Sequence, residues 1–205
     1  MAVTKTVSPV LINDALDCGI DLIGENKVQE LLSKLEFLNP PTVEKHIIGH
    51  LQTNKVAKIL PVVDMIQSVD SLHLAEEISK QSQKIGKVTD ILLEVNIGKE
   101  ESKTGILPEE VNDILFNVAE KDGIRVRGLM AVPPICESET EIRKYFREMY
   151  KIFIDNRAKM LDNRSMDILS LGMSGDFEYA IQEGSTLVRV GSAIFGARRY
   201  AYSDR

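Results

Sequence analysis

Eight short apolar runs, rich in β-branched residues, recur along the chain and constrain its fold more than any other feature. Each run is continuous rather than alternating in polarity, which is typical of strands buried on both faces of a parallel sheet. The runs cover residues 2–4, 21–24, 45–49, 65–69, 91–95, 126–131, 167–171 and 187–190. Helical patterns lie between them, the clearest formed by Ile142, Tyr145, Phe146, Met149, Ile152 and Phe153.

This alternation of strand and helix predicts an α/β protein, a (β/α)8 TIM barrel, with a doubly wound open sheet as the alternative. No stretch rich in Pro, Gly, Ser or charge divides the chain, so residues 1–205 are predicted to form a single domain. The first run begins at residue 2. We therefore expect the barrel to lack an N-terminal helix that would plug its floor and cover the edge of the first strand.

Composition excludes several classes of function. A net charge of −6 argues against nucleic acid as a partner, and no apolar run reaches the ~18 residues that span a bilayer. Cys18 and Cys136 form no C-x-x-C pair, and the three histidines show no metal-ligand spacing. We predict no metal, no membrane partner and a cytoplasmic location.

Two turns of small residues lie between residues 169 and 197, one at Ser174 and Gly175 and the other at Gly191 and Ser192. Each follows an apolar run and precedes a helical segment, where unpaired backbone N–H groups can bind an anion. Two such turns close together predict a phosphate site.

In a (β/α)8 barrel the strand ends converge on one mouth, where active groups lie. Besides the two turns, the predicted strand ends place Lys5, Asn26, His50 and Arg189 there. A lysine, an arginine and a phosphate site fit pyridoxal phosphate (PLP): the lysine would form a Schiff base, and the arginine would face the pyridine nitrogen.

Seven segments, in order, resemble the pyridoxal phosphate homeostasis protein family: AVTK, GENKVQE, HIIGHLQTNK, VNIGKEESKTG, RGLMAVP, GMSGDFEYAI and VRVGSAIFG. The family is similar in fold to the N-terminal barrel of alanine racemase and has no well-established reaction. The resemblance implies a PLP site made of Lys5 as the Schiff-base lysine, Asn26 near the ring, Arg189 near the pyridine nitrogen, and Ser174, Gly191 and Ser192 at the phosphate. Family members usually have about one more helix before the first strand.

Structural roles compete for some of these residues. Asn26 followed by Gln29 has the spacing of a helix capping box, and glycines at 19, 86, 123 and 184 stand where helices are expected to end. His50 is interpreted as a hydrogen-bonded residue of the mouth rather than a base, because no acid is seen to pair with it.

Arginine does not give up its proton, so a pyridine nitrogen facing Arg189 stays unprotonated and the ring is a poor electron sink. Racemase chemistry would also need a second base, for which a tyrosine is a candidate. No tyrosine is predicted in a strand-end loop; the five are Tyr145, Tyr150, Tyr179, Tyr200 and Tyr202. We therefore predict a monomeric PLP-binding protein of vitamin B6 homeostasis, not an enzyme, with PLP-dependent apoenzymes as partners. The alternatives are a PLP-dependent amino-acid racemase or related lyase, and a barrel that binds a sugar phosphate.

Overall fold

A computed structural model describes residues 1–159 and 164–197; Tyr200 and Tyr202 lie outside these residues. Eight parallel strands follow one another around a single sheet in chain order, β1 to β8. The strands are β1 (Ala2–Val3), β2 (Leu22–Glu25), β3 (Glu44–Ile47), β4 (Met65–Val69), β5 (Thr89–Val95), β6 (Ile124–Ala131), β7 (Arg164–Met173) and β8 (Leu187–Arg189). The helices are α1 (Pro9–Asp17), α2 (Val28–Lys34), α3 (Thr53–Ile59), α4 (Leu72–Lys84), α5 (Val111–Ala119), α6 (Glu139–Arg157), α7 (Phe177–Gln182) and α8 (Ser192–Phe195).

The first and last strands meet and complete the ring. Ala2 forms a parallel bridge with Val190, the Val3 N–H donates to the Val190 carbonyl at 2.8 Å, and the Val190 N–H donates to the Met1 carbonyl at 3.1 Å. The predicted (β/α)8 barrel is confirmed and the open sheet is excluded. The expectation that the edge of β1 is uncovered is wrong, because β8 pairs with it.

Local sequence sets several helix ends. Ser8, Ser71 and Ser138 cap α1, α4 and α6 by accepting a backbone N–H bond from the third helical residue. Glycines follow four of the helices with positive φ, as the sequence predicts, at positions 19, 86, 123 and 184. The predicted capping box is wrong: Lys27, not Asn26, occupies the N-cap of α2, and its side chain makes no capping bond.

Among the described residues, three apolar clusters stabilise the barrel, and one of them packs Ile12 and Leu16 of α1 against Ile23 of β2. The main core lies between the strands and the surrounding helices and includes the fully buried Phe146 and Phe153 of α6. A separate cluster contains Met65, Leu92 and Met130, with Ile168 packed against it. Side chains two residues apart on a strand share a face, so Gln67 and Ser170 lie on the same inner face as Met65 and Ile168.

Within the described residues, no helix is both long and apolar enough to cross a membrane.

Candidate functional site

A cavity of about 360 Å³ opens at the end of the barrel where the strands finish. All six residues predicted to bind the cofactor line it: Lys5, Asn26, Ser174, Arg189, Gly191 and Ser192. The remaining lining residues are Val3, Ile48, Val132, Met173 and Gly175. The barrel gathers the ends of its strands at one mouth, which we call the strand-end rule. Residues from opposite ends of the sequence therefore meet in one cavity of a size suited to a small cofactor.

A buried ion cluster fixes the backbone on both sides of Lys5. The Nζ of Lys34 lies 2.5 Å from Glu25 Oε1, 2.7 Å from Glu30 Oε1 and 2.8 Å from the Thr4 carbonyl. The Thr4 hydroxyl donates to Glu25 at 2.9 Å, and the Thr6 N–H donates to the Glu30 carboxylate. Because Thr4 and Thr6 are both held, Lys5 is presented to the cavity by a defined turn.

The two carboxylates of this cluster respond differently to their surroundings. Burial raises the pKa of Glu25, and the bonds from Lys34 and Thr4 oppose this shift without cancelling it. Burial acts in the same direction on Glu30, but the bonds from Lys34 and Thr6 are stronger in sum and lower its pKa. The cluster therefore depends on the Lys34 ammonium to keep the buried Glu25 charged.

Arg189 is the buried cation of the site, with only 4% of its surface exposed. Its Nη1 donates to the carbonyl and the hydroxyl of Ser170, both at 2.7 Å, and its Nη2 donates to the Ala131 carbonyl at 2.8 Å. Burial lowers its pKa to about 10, against the charges of Glu94 and Asp176, so it remains a cation at neutral pH. Within the described residues, Arg189 uses three of its five guanidinium N–H donors in hydrogen bonds, and its side chain lines the cavity.

Ser174 joins the two predicted phosphate-binding turns. Its hydroxyl oxygen accepts the Gly191 N–H at 3.0 Å and the Ala193 N–H at 3.3 Å. Asp176, two residues further on, accepts the Met173 N–H at 2.6 Å and so supports its own loop. The two turns therefore lie side by side, and backbone N–H groups of the second turn point at the Ser174 hydroxyl oxygen of the first.

Asn26 lies directly after β2 and is held by its backbone. Its N–H lies 3.3 Å from Glu25 Oε2, and its carbonyl oxygen is so close to Gly49 that a Cβ there would lie 2.5 Å away. The chain can approach this closely only because residue 49 has no side chain. This contact places the end of β2 against the end of β3 beside the cavity.

Sequence reasoning missed an acidic group at the same end of the barrel. His50 Nδ1 lies 2.8 Å from Asp70 Oδ2, so the expectation that no acid pairs with His50 is wrong. Glu94 is the second-last residue of β5, and its buried Oε2 has no hydrogen-bond partner within the described part of the chain. Asp70 and Glu94 both stand at the ends of predicted strands, so the strand-end rule would have found them.

Burial and the neighbouring charge of Asp70 raise the pKa of Glu94 to about 7, whereas Arg189 and His50 pull it down. A carboxyl with a raised pKa in the folded state stabilises fully below its unfolded value of 4.5, and that stability is lost as pH rises through about 7. We expect Glu94→Gln to be more stable than the parent by on the order of 2 kcal/mol at about pH 8, with the difference vanishing near pH 4. Urea unfolding across this range measures it. The exposed Glu101→Gln is the control, and a difference independent of pH would contradict the assignment.

The fold and the site define a barrel of the class to which the N-terminal domain of alanine racemase belongs, with a lysine after its first strand. A family model for that domain matches residues 1–199. A pyridoxal phosphate homeostasis protein of Aquifex aeolicus is 42% identical over 200 residues, covering 98% of this chain and 87% of that protein. The homeostasis protein of Haemophilus influenzae is 36% identical over 206 residues, covering 100% and 86%. The chain belongs to the family of pyridoxal phosphate homeostasis proteins.

Solved structures agree. PipY of Synechococcus elongatus, determined with PLP bound, superposes with a TM-score of 0.87 at 30% identity, over 96% of this chain and 91% of PipY. Alanine racemase of Clostridium difficile gives a TM-score of 0.76 at 14% identity, over 98% of this chain and 55% of the racemase, which shows the fold alone.

Proposed function

We propose that this protein binds PLP at the barrel mouth and functions in vitamin B6 homeostasis by holding the cofactor reversibly. The observation that supports this most directly is that Lys5 and Arg189 line one cavity together with the two joined turns. The names of the relatives and the PLP-bound state of PipY support the same ligand.

In this proposal each residue has a separate task. The Lys5 amine would hold PLP through a Schiff base to its aldehyde, with water as the leaving group. Gly191 and Ser192, with the Ser174 hydroxyl, bind the phosphate, and Asn26 lies near the ring. Arg189 would use its remaining N–H donors to bind the pyridine nitrogen, whose lone pair can accept them.

The charge of Arg189 argues for holding rather than turnover. Its pKa of about 10 keeps it protonated at neutral pH, so it donates to the pyridine nitrogen and does not transfer a proton to it. An unprotonated ring withdraws electrons weakly, which disfavours carbanion chemistry. A racemase remains the second candidate, and a purified protein that converts any amino acid in a panel of both enantiomers would support it.

We further propose that the protein is a cytoplasmic monomer that exchanges PLP with PLP-dependent apoenzymes. The thiols of Cys18 and Cys136 form no disulfide, which fits a reducing compartment. Analytical ultracentrifugation tests the monomer, and transfer of PLP from the loaded protein to an apoenzyme tests the exchange.

Reduction with borohydride tests the site. We expect the protein loaded with PLP and then reduced to gain the mass of one pyridoxyl group, and peptide mapping to place it on Lys5. Lys5→Arg keeps the charge but cannot form the bond, so it should gain none, whereas Lys27→Arg, at an exposed position near the mouth, should behave as the parent. An adduct that persists in Lys5→Arg would contradict the assignment; a parent protein without any adduct would favour the sugar phosphate alternative.

A further inference from the structure

A continuous series of hydrogen bonds crosses the interior of the barrel and ends at Arg189. The Arg189 Nη1 donates to the Ser170 hydroxyl at 2.7 Å, and that hydroxyl donates to Gln67 Oε1 at 2.8 Å. Gln67 Nε2 lies 2.7 Å from His46 Nδ1, and His46 Nε2 lies 2.8 Å from Glu44 Oε1. We call Ser170, Gln67, His46 and Glu44 the relay.

The relay joins the two ends of the barrel. Arg189 ends β8 at the mouth, whereas Glu44 begins β3 at the opposite end, where half of its side chain is exposed. Ser170 and Gln67 belong to β7 and β4, which are not neighbours in the sheet, so their bond passes through the interior. Ser170, Gln67 and His46 are all buried.

The donors in the relay all point the same way. An amide nitrogen only donates, so His46 Nδ1 must accept from Gln67, and His46 Nε2 must then bear the proton that it donates to Glu44. The second N–H of Gln67 faces the Met1 sulfur at 3.7 Å, which fixes the amide orientation. Every polar atom of the relay side chains inside the barrel thus has a defined role as donor or acceptor.

We propose that Gln67 and His46 are positioning residues for Arg189: with His46 neutral, the relay fixes the guanidinium toward the cofactor, and protonation of His46 releases it. The proposal rests on the proposed role of Arg189. A second proton on His46 would place two donors face to face, so Gln67 would have to turn its amide. Ser170 would then lose the acceptor for its own proton, directly beside Arg189.

Burial and the charges around His46 set the pH at which its imidazole is protonated. Burial lowers the pKa of His46, and the Met1 amino group acts in the same direction, whereas Glu44 and Asp64 raise it. Burial is the largest of these effects, so the neutral form is present at neutral pH. The proton can arrive through Glu44 at the exposed end of the relay, far from the cofactor.

Two substitutions test separately the hydrogen bonds of Gln67 and the charge of His46. Gln67→Met has similar volume and flexibility but removes the amide, and we expect roughly three- to tenfold weaker PLP binding and a changed absorption spectrum of the bound cofactor. His46→Asn keeps an acceptor near Nδ1 but cannot become charged. We expect it to bind PLP as the parent does at about pH 7.5 and to lose less affinity than the parent as the pH falls through the titration of His46. His73→Asn, at an exposed position on α4, is the control for titration of an unrelated histidine.

The outcomes separate the relay from the PLP site itself. Formation of the reduced adduct on Lys5 in Gln67→Met shows that PLP still binds, so weaker binding there reports on positioning alone. A folded Gln67→Met with the affinity and spectrum of the parent would overturn the relay.

A measurement without cofactor tests the relay even if PLP does not bind or Gln67→Met does not fold. In ¹⁵N NMR of the ligand-free parent, we expect His46 to be the neutral Nε2–H form and the Arg189 guanidinium resonances to shift as His46 titrates. Arg189 resonances that ignore this titration would also overturn the proposal.

Discussion

Lys34→Met is expected to lower the free energy of unfolding by about 3–5 kcal/mol, because it leaves a charged Glu25 buried without its cation. The Glu25 side chain has no exposed surface, and Lys34 is the cation that contacts it at 2.5 Å. Methionine keeps most of the apolar stem of lysine, so the loss reports on the charge rather than on packing. Chemical denaturation at neutral pH measures the change.

Lys58→Met provides a matched control. Lys34 and Lys58 each lie in the last turn of a seven-residue helix, where a cation favours the helix dipole, but Lys58 is exposed. We expect its loss to cost less than about 1 kcal/mol. The double variant Glu25→Gln with Lys34→Met removes both charges and should recover part of the stability. If Lys34→Met costs no more than Lys58→Met, the cluster does not stabilise the fold.

The same variant should weaken PLP binding. Lys34 also bonds to the Thr4 carbonyl and to Glu30, which accepts the Thr6 N–H, so the turn that presents Lys5 loses its support. The reduced adduct on Lys5 should still form, but with lower occupancy at limiting PLP. The ion cluster therefore connects the stability of β1 and α2 with the position of the lysine.

The order and number of strands could be predicted because a buried parallel strand is apolar throughout its length. Seven predicted runs differ from the observed strands by only a few residues at their ends, and 65–69 coincides with β4. The closure of the ring was predicted from the number of strand and helix units alone, with an open sheet as the alternative. It depends on backbone bonds between β1 and β8, at opposite ends of the chain, and these bonds have no side-chain signature.

In the candidate site too, some features could be predicted from the sequence and others could not. Residues directly after strands, such as Lys5 and Asn26, were predictable because the barrel places every strand end at one mouth. Ion pairs between elements were not. No sequence pattern pairs Glu25 of a strand end with Lys34 of the following helix, and only packing brings them together out of water. Gln67 and His46 interrupt apolar runs, which is a signal of a polar interior that sequence reasoning left unused.

Gly128→Ala is expected to lower the free energy of unfolding more than a methyl group added at any other glycine of the barrel. An added Cβ would lie 1.7 Å from the carbonyl oxygen of Ile168 on the neighbouring β7, and Gly128 has a φ of 154°. The contact is with backbone, so no side chain can move aside, and β6 must separate from β7. We expect a loss of at least about 4 kcal/mol, or no folded protein.

The consequence reaches the candidate site because β6 and β7 hold Arg189 between them. Its acceptors are the Ala131 carbonyl at the end of β6 and Ser170 on β7, so the spacing of these strands sets the distance that the guanidinium spans. Gly175→Ala is the control for stability, since a Cβ there meets no atom within 4 Å. Urea denaturation of both variants measures the difference. A Gly128→Ala protein as stable as Gly175→Ala would show that the two strands can separate freely, and that the position of Arg189 is set elsewhere.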